Sequence, residues 1–472
     1  MRYLLIILFC GVFTIAHASD KIASTIKELN EYASEAKAGD HIFLKDGVYK
    51  DAVIKFNNSA GTENAPVTVS AQHPGKVFLE GNSSISFSGQ YIHIKDLVFQ
   101  NGGHELKSKQ VIEFRISEKA QASHCTISDC VINDFNNTIK TDVNAWVGIY
   151  GEYNVVERCL FKAKDNMGPT LVVWLDSSRA AHHTIAENYF LTRSNGAQVD
   201  NGLESIRIGD SKTSFTDAHC VIAFNRFEDC DGEIEIISNK SCHNSYLHNT
   251  FFNCDGGLTL RHGNHTLCDG NYFDGGKKKL SYGIRFIGEG HVAINNYFRN
   301  LHGASHELYR SPVSLLNGLI NTPINGYYQV RNAVVTDNIF MDCETPLIRI
   351  GAFSPKRDGM SIAPDTVTIQ NNVFVNSGNA TGDVLEIITP ALHFTVNGNK
   401  ISKGYKVAQP GSFTEIAKGT EKSVTQSDYP AVLTLNKGVG AGWVLPRIRE
   451  KMKGKKYTYL VPEDVGPTWG KN

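Results

Sequence analysis

Glu233 and Glu235 stand two residues apart in DGEIEIISNK (231–240), a run with the β-branched content of a strand. In a strand, residues two apart share a face at about 7 Å, so two negative charges lie side by side. Two carboxylates brought to about 5 Å repel by roughly 3 kcal/mol at an effective dielectric of 20, and something must compensate. Lys240 closes the same run, and strand alternation turns Arg207 of SIRIG (205–209), Arg261 of GGLTLRHG (256–263) and Arg285 of GIRFIG (283–288) outward on one face with it. One form of compensation is a cross-strand ion pair from Arg207 to Glu235. The other is a hard cation, to which two glutamates and an amide carbonyl such as Asn201 supply oxygen ligands. The plain alternative leaves Ile234 and Ile236 in the core and both glutamates in water.

The elements that would hold these residues follow from a repeat. Asn-x-Phe occurs as NYF at 188, NRF at 225, NTF at 249, NYF at 271, NYF at 296, NIF at 338 and NVF at 372, with Phe-to-Phe steps of 37, 24, 22, 25, 42 and 34 residues. Weaker copies stand at DLVF (96–99) and RCLF (158–161). A unit of 22 to 25 residues with small and polar turns holds two or three short strands and no ten-residue helix. That excludes α-solenoid and leucine-rich repeats and predicts an all-β chain folded as a right-handed parallel β-helix. STIKELNEYASEAKAGD (24–40) has helical periodicity and predicts a helical cap on the open end of the stack, with AGDHIFLKDGVYKD (38–51) starting the first coil. The repeat extends to about residue 400. Residues 401–472 are an extension of the same domain with no assigned structure.

Aligning coils on the repeat Phe, with 24 residues from Phe227 to Phe251, stacks Glu233 on Gly257, Glu235 on Thr259 and Ile237 on Arg261, one coil being about 4.8 Å from the next. Cys230, Cys254 and Cys343 each fall three residues after a repeat Phe. That spacing predicts stacked buried thiols instead of disulfides or a metal. His243, His248, His262 and His265 fall on turns and different coils, which argues against zinc.

MRYLLIILFCGVFTIAHA (1–18) has a basic start, an apolar stretch and a small-residue ending, the pattern of a secretory leader cleaved after Ala18. An exported protein, periplasmic or secreted and acting as a monomer, is the expectation. No later run is long enough to cross a bilayer. Lys and Arg total 47 against 48 Asp and Glu, so no global field recruits nucleic acid or a membrane, and any polyanion must be held by a local site.

NGLESIRIG (201–209), GEIEIISNKS (232–241) and LRHG (260–263), in that order on a β-helix, resemble the active-site signature of polysaccharide lyase family 6, the alginate lyases and chondroitinase B. The likeness runs from AGDHIFLKDGVY through NVVERCLFKAKDNMGPTLVVWL (154–175) to about residue 375. The resemblance implies a Ca²⁺ site from Asn201, Glu233 and Glu235, Lys240 as base and Arg261 as acid, with Arg285 and His262 binding substrate. The roles cohere physically. Removing the C5 proton of a uronate beside its ionised carboxylate builds a dianion, so the carboxylate must first be neutralised. A lysine with an ordinary pKa near 10.4 needs cationic neighbours to be available as a base.

The resemblance makes alginate the expected substrate. Dermatan sulfate would need cations clustered for sulfate, and Arg299, Arg310 and Arg331 stand singly in the sequence. A β-helix glycoside hydrolase would need paired acids across the scissile bond, and the chain has no Asp-Asp pair. A non-catalytic glycan-binding β-helix would have no reason to gather Lys240 and Arg261 beside two glutamates. Trp146, Tyr150 and Trp174 are candidates for sugar stacking or for the core.

Overall fold

Each Asn-x-Phe unit turns one corner of a coil. In the computed structural model, which describes residues 18–103, 105, 110–354, 357–377, 382–407, 413–416, 438–453 and 460–470, three sheets of 14, 13 and 14 strands run along a parallel β-helix. Val221–Ala223, Arg226–Glu228 and Glu235–Lys240 make one coil, one strand in each sheet. Ser245–Leu247, Thr250–Phe252 and Gly257–His262 repeat it and pair with it in parallel.

The repeat asparagine explains the corner. The residue before it takes a left-handed conformation, at Glu187, Phe224, His248, Asn295, Asp337 and Asn371, with Gly270 filling the same place once. That reverses the chain sharply between two sheets and leaves backbone groups inside the bend. The asparagine side chain satisfies them. Asn249 Nδ2 donates to the carbonyl of Ile222 at 2.9 Å and to Asn271 Oδ1 at 3.0 Å, while its Oδ1 accepts from the backbone N and Nδ2 of Asn225.

Two residues on, the phenylalanines point inward and stack. From Phe190 through Phe227, Phe251, Phe273, Phe298 and Phe340 to Phe374, ring centroids are 4.5–5.2 Å apart. All seven rings are buried, and burying such a side chain contributes about 1.5–3 kcal/mol. Cys230, Cys254 and Cys343 are free and buried, as their spacing predicts, and so are the other six cysteines from Cys125 to Cys268. Cys230 and Cys254 stack in register, the backbone N of Cys230 meeting Cys254 Sγ at 3.4 Å.

The expected cap is α1 (Ile26–Glu35). Thr25 and Glu28 form a capping box at its start, and Leu29 and Ala33 are its buried face. Asn58 Nδ2 ties its end to the first coils by donating to the carbonyls of Ala33 and Ala36 at 2.8 Å. At the other end, Asn399–Ile401 and Phe413–Glu415 continue the phenylalanine sheet. Residues 438–470, where described, then run back along the outside of the stack. Gly440 N donates to the His265 carbonyl, Arg447 of α2 (Pro446–Met452) pairs with Glu157 and Glu187, and Trp469 Nε1 donates to Asp96 Oδ1 at 3.2 Å. Except for Ala18, the predicted leader lies outside the described residues. Among the described residues no helix is long and apolar enough to cross a membrane.

Candidate active site

Four consecutive strands of the 13-stranded sheet carry the residues in question: β1 (Ile206–Ile208), β2 (Glu235–Lys240), β3 (Gly257–His262) and β4 (Ile284–Phe286). Their register corrects the one drawn from the repeat. Glu235 pairs with Gly257, not Thr259; Ser238 meets Thr259 and Lys240 meets His262, with irregularities between Glu235 and Ile237 and between Asn239 and Lys240. The repeat Phe fixes the corner sheet but not this one, because Glu235 follows Phe227 by eight residues and Gly257 follows Phe251 by six. Glu233 consequently sits in the bend before β2 and does not stack on Gly257. The second irregularity lets adjacent residues of β3, Arg261 and His262, both serve the site beside Lys240.

The compensation for Glu235 also differs from the expected ion pair with Arg207. Arg285 Nη2, one strand beyond β3, donates to Glu235 Oε1 at 2.6 Å; Ser238 Oγ donates to Oε2 at 2.5 Å; and Arg261 Nε stands 4.0 Å from Oε1. Burial opposes ionisation of Glu235, but Arg285, then Lys240 and Arg261, hold its carboxyl below the ordinary range. Arg207 instead lies 5.1 Å above the Trp174 ring. Glu233 behaves oppositely. Burial, then the charges of Glu204 and Glu235, push its carboxyl up to about 9. His262 is driven down to about 3 by burial and by Arg261 and Lys240, so it is a neutral imidazole in the cluster.

Glu204, which the sequence reading did not single out, is part of the same cluster. Its side chain is 1% exposed and its Oε1 lies 3.7 Å from Lys240 Nζ. The available signal was its place in NGLESIRIG, three residues before Arg207. Asn201 is exposed in the turn ahead of it. Behind both, the buried Arg193 donates to the carbonyls of Lys164, Asn166 and Gly168 and holds the neighbouring loop.

Among the described residues no three His, Cys, Asp or Glu side chains are arranged as a metal site. The donor chemistry nevertheless suits a hard cation. Glu233 Oε1 and Glu204 Oε2 are buried carboxylate oxygens without a hydrogen-bond partner among the described residues, a costly state that an oxygen-seeking ion relieves. The other histidines do not form a zinc site: His219, His243 and His265 stack as successive corner residues 5.0–5.1 Å apart, and His248 stacks on Phe224.

Toward the N-terminal coils the same face continues as a groove. The Arg115 guanidinium lies 3.8 Å from the Tyr150 ring, Tyr150 stacks near-parallel on Trp174 at 6.3 Å, and Arg207 covers Trp174. These four side chains line a cavity of about 300 Å³. Trp146, by contrast, is in the core and donates Nε1 to the Phe135 carbonyl.

The fold and this constellation define a class. The family model for chondroitinase B matches residues 23–431, and the chain belongs to that family, polysaccharide lyase family 6. It is similar to the PL6 family alginate lyase AlyGC at 30% identity and a TM-score of 0.80, over 96% of this chain but 59% of the AlyGC chain. The chain therefore spans well under two thirds of that relative. A PL6 family polysaccharide lyase from Pseudopedobacter saltans is 27% identical with a TM-score of 0.69, covering 95% of this chain and 99% of its own. A mannuronic acid specific family 6 lyase from human gut microbiota, at 24% identity and a TM-score of 0.74, shares the fold. No curated protein matches the sequence.

Proposed function

We propose that this protein is an exported, calcium-assisted lyase that cleaves alginate by β-elimination. The observation that carries the reading is the single cluster of Lys240, Arg261, His262 and Arg285 around Glu233 and Glu235 on one sheet face. Lys240 Nζ takes the C5 proton of a uronate. The electron pair left on C5 forms the C4=C5 double bond as the C4–O4 bond breaks, and O4 leaves with a proton. Arg261 stabilises the negative charge that develops on the uronate carboxylate and on O4, and Arg285, held against Glu235, binds the sugar. With its pKa above 12 in water, an arginine delivers a proton reluctantly; burial moves that of Arg261 downward, in the helpful direction. His262, neutral and buried, positions the sugar by hydrogen bonding without adding charge. Asn201, Glu233 and Glu235 would hold a calcium ion, which would supply Lewis-acid neutralisation of the substrate carboxylate.

Alginate fits better than dermatan sulfate. Arg310 is buried against Glu307 and the carbonyls of Asp255 and Leu280, and Arg299 is paired to Asp274 at 3.6 Å, so neither stands free for sulfate. The Arg115–Tyr150–Trp174–Arg207 groove suits a carboxylated sugar chain, with a cation at each end of a stacked row of rings. Alginate, its mannuronate and guluronate blocks and dermatan sulfate, offered in parallel with and without exhaustive chelation, test the reading. Unsaturated product from alginate, lost on chelation and restored by calcium, is expected. Turnover of dermatan sulfate alone would overturn the substrate, and full activity after chelation would overturn the metal.

A further inference from the structure

The longest repeat step, 42 residues from Phe298 to Phe340, carries an insertion that the coil does not need. Part of it returns to the active site. The Gly326 carbonyl accepts from Arg261 Nη1 at 2.8 Å, the Asn325 carbonyl accepts from Nη2 at 3.2 Å, and the Tyr327 ring lies 4.3 Å from the guanidinium carbon. We infer that the loop of residues 319–328 is a positioning element for Arg261, acting through the ring of Tyr327 and the two carbonyls beside it. This rests on the role proposed above for Arg261.

The electrostatics of the cluster explain why such an element is needed. Glu235 Oε1 already accepts from Arg285 at 2.6 Å and is 4.0 Å from Arg261 Nε. An arginine fork left to itself would close on that carboxylate, and its charge would be cancelled against the protein instead of the substrate. Backbone carbonyls are neutral acceptors. They fix the direction of the fork while leaving its full charge, and the ring face adds attraction without a counter-charge. Tyr327 is buried and also lies 5.0 Å from Arg357, so its ring meets two cations.

The loop is built to keep this geometry. Leu319 N donates to the Tyr327 carbonyl at 2.8 Å, closing its base, and Gly326 N donates to the Pro323 carbonyl at 2.7 Å, tightening its tip. Gly318–Leu319 pairs antiparallel with Met360–Ile362. On the far side, Ser214 Oγ donates to the Ile324 carbonyl at 3.3 Å, and Phe215 meets Tyr328 edge-on at 5.0 Å. The loop thus reaches back across β3 and is anchored beyond β1, with Arg261 beneath its span.

Steady-state kinetics on the proposed substrate, with unfolding midpoints as a control, test the inference. Tyr327→Ala is expected to lower kcat by about tenfold to a hundredfold, as for a misplaced catalytic group, with KM held within about twofold. Tyr327→Phe should remain within about twofold of the parent, because the ring face is what acts. Phe215→Ala removes one of the two far contacts of the loop and leaves that of Ser214; Phe215 is 47% exposed, so this variant carries the test even if Tyr327→Ala does not fold. It should lower kcat by about twofold to fivefold. In an Arg261→Ala background, Tyr327→Ala should cost nothing further. Unchanged kcat in Tyr327→Ala or, where that variant does not fold, in Phe215→Ala would overturn the inference. So would Tyr327→Phe as impaired as Tyr327→Ala, which would make the hydroxyl the acting group. An Arg261→Ala enzyme that keeps full kcat would instead remove the underlying role of Arg261.

Discussion

Two rows of polar side chains run along this coil stack, and they are completed differently. In the corner row, each asparagine from Asn188 to Asn372 donates from Nδ2 to Oδ1 of the next, ending on Asn399, at 2.9–3.0 Å throughout. On the site face, Glu204 Oε2, Glu233 Oε1, Arg207 Nε and Arg285 Nε are buried without a partner among the described residues. A buried polar atom left unpaired costs about 1–3 kcal/mol. The corner row avoids that cost and is structure. The site row carries it on carboxyl and guanidinium groups of one face, where the proposed sugar and ion would supply partners.

Breaking the site row should remove activity and spare the fold. Lys240→Ala and Arg261→Ala are each expected to lower kcat by about 10²–10⁴, with unfolding midpoints close to the parent. Near-normal turnover in a folded Lys240→Ala enzyme would place the base elsewhere. Glu233→Ala should be partly rescued by excess calcium if, as proposed, it removes a ligand and leaves Lys240 in place.

Breaking the corner row should do the reverse. Asn249→Ala removes a partner from the Ile222 carbonyl, from the backbone N of Asn225, from one of the two N–H groups of Asn225 Nδ2 and from one acceptor position on Asn271, and is expected to cost about 3–5 kcal/mol in denaturant unfolding. Activity per folded molecule should be retained. A loss below about 1 kcal/mol would mean that the ladder is not structural.

A third variant sharpens the contrast with a charge outside both rows. Burial pushes the Asp269 carboxyl up to about 7, against the pull of the Asn295 amide. Its folded value is above the unfolded one of about 3.9, so folding takes up a proton between the two. This contribution to stability is full below about pH 4 and is lost as pH rises through about 7. Asp269→Asn keeps an acceptor for Asn295 and should stabilise by about 4 kcal/mol at pH 8 while giving no gain at pH 4. An equal gain at both pH values would contradict the titration. The smallest expected effect is that of Phe251→Leu, which keeps the core apolar but breaks the ring stack, at about 1 kcal/mol.

The corner row was legible in the sequence because one geometry recurs: the same left-handed residue, the same asparagine and the same inward Phe in every copy. The cap was legible for a similar reason, through the Thr25 and Glu28 box and the Leu29 and Ala33 face. The site strand was not, because the turn leading to it changes length from coil to coil. Counting from Phe227 therefore gave the right residues on the right sheet with the wrong neighbours. Arg285 and not Arg207 pairs with Glu235 for the same reason. Glu204 was hidden because it precedes its strand, where alternation says nothing about direction. The loop over Arg261 announced itself only as an over-long repeat step. The described residues 438–453 and 460–470 carry no period because they pack on the outside of the coils instead of forming more of them.

The most direct test of the account is the chemistry of the new chain ends. Alginate cut by the wild-type protein in ¹⁸O-labelled water should yield fragments whose non-reducing ends carry a C4=C5 double bond and whose new reducing ends contain no oxygen from the labelled water after correction for exchange. Saturated ends with label at the cleaved bond would show hydrolysis and would contradict the assignment of Lys240 as a C5 base.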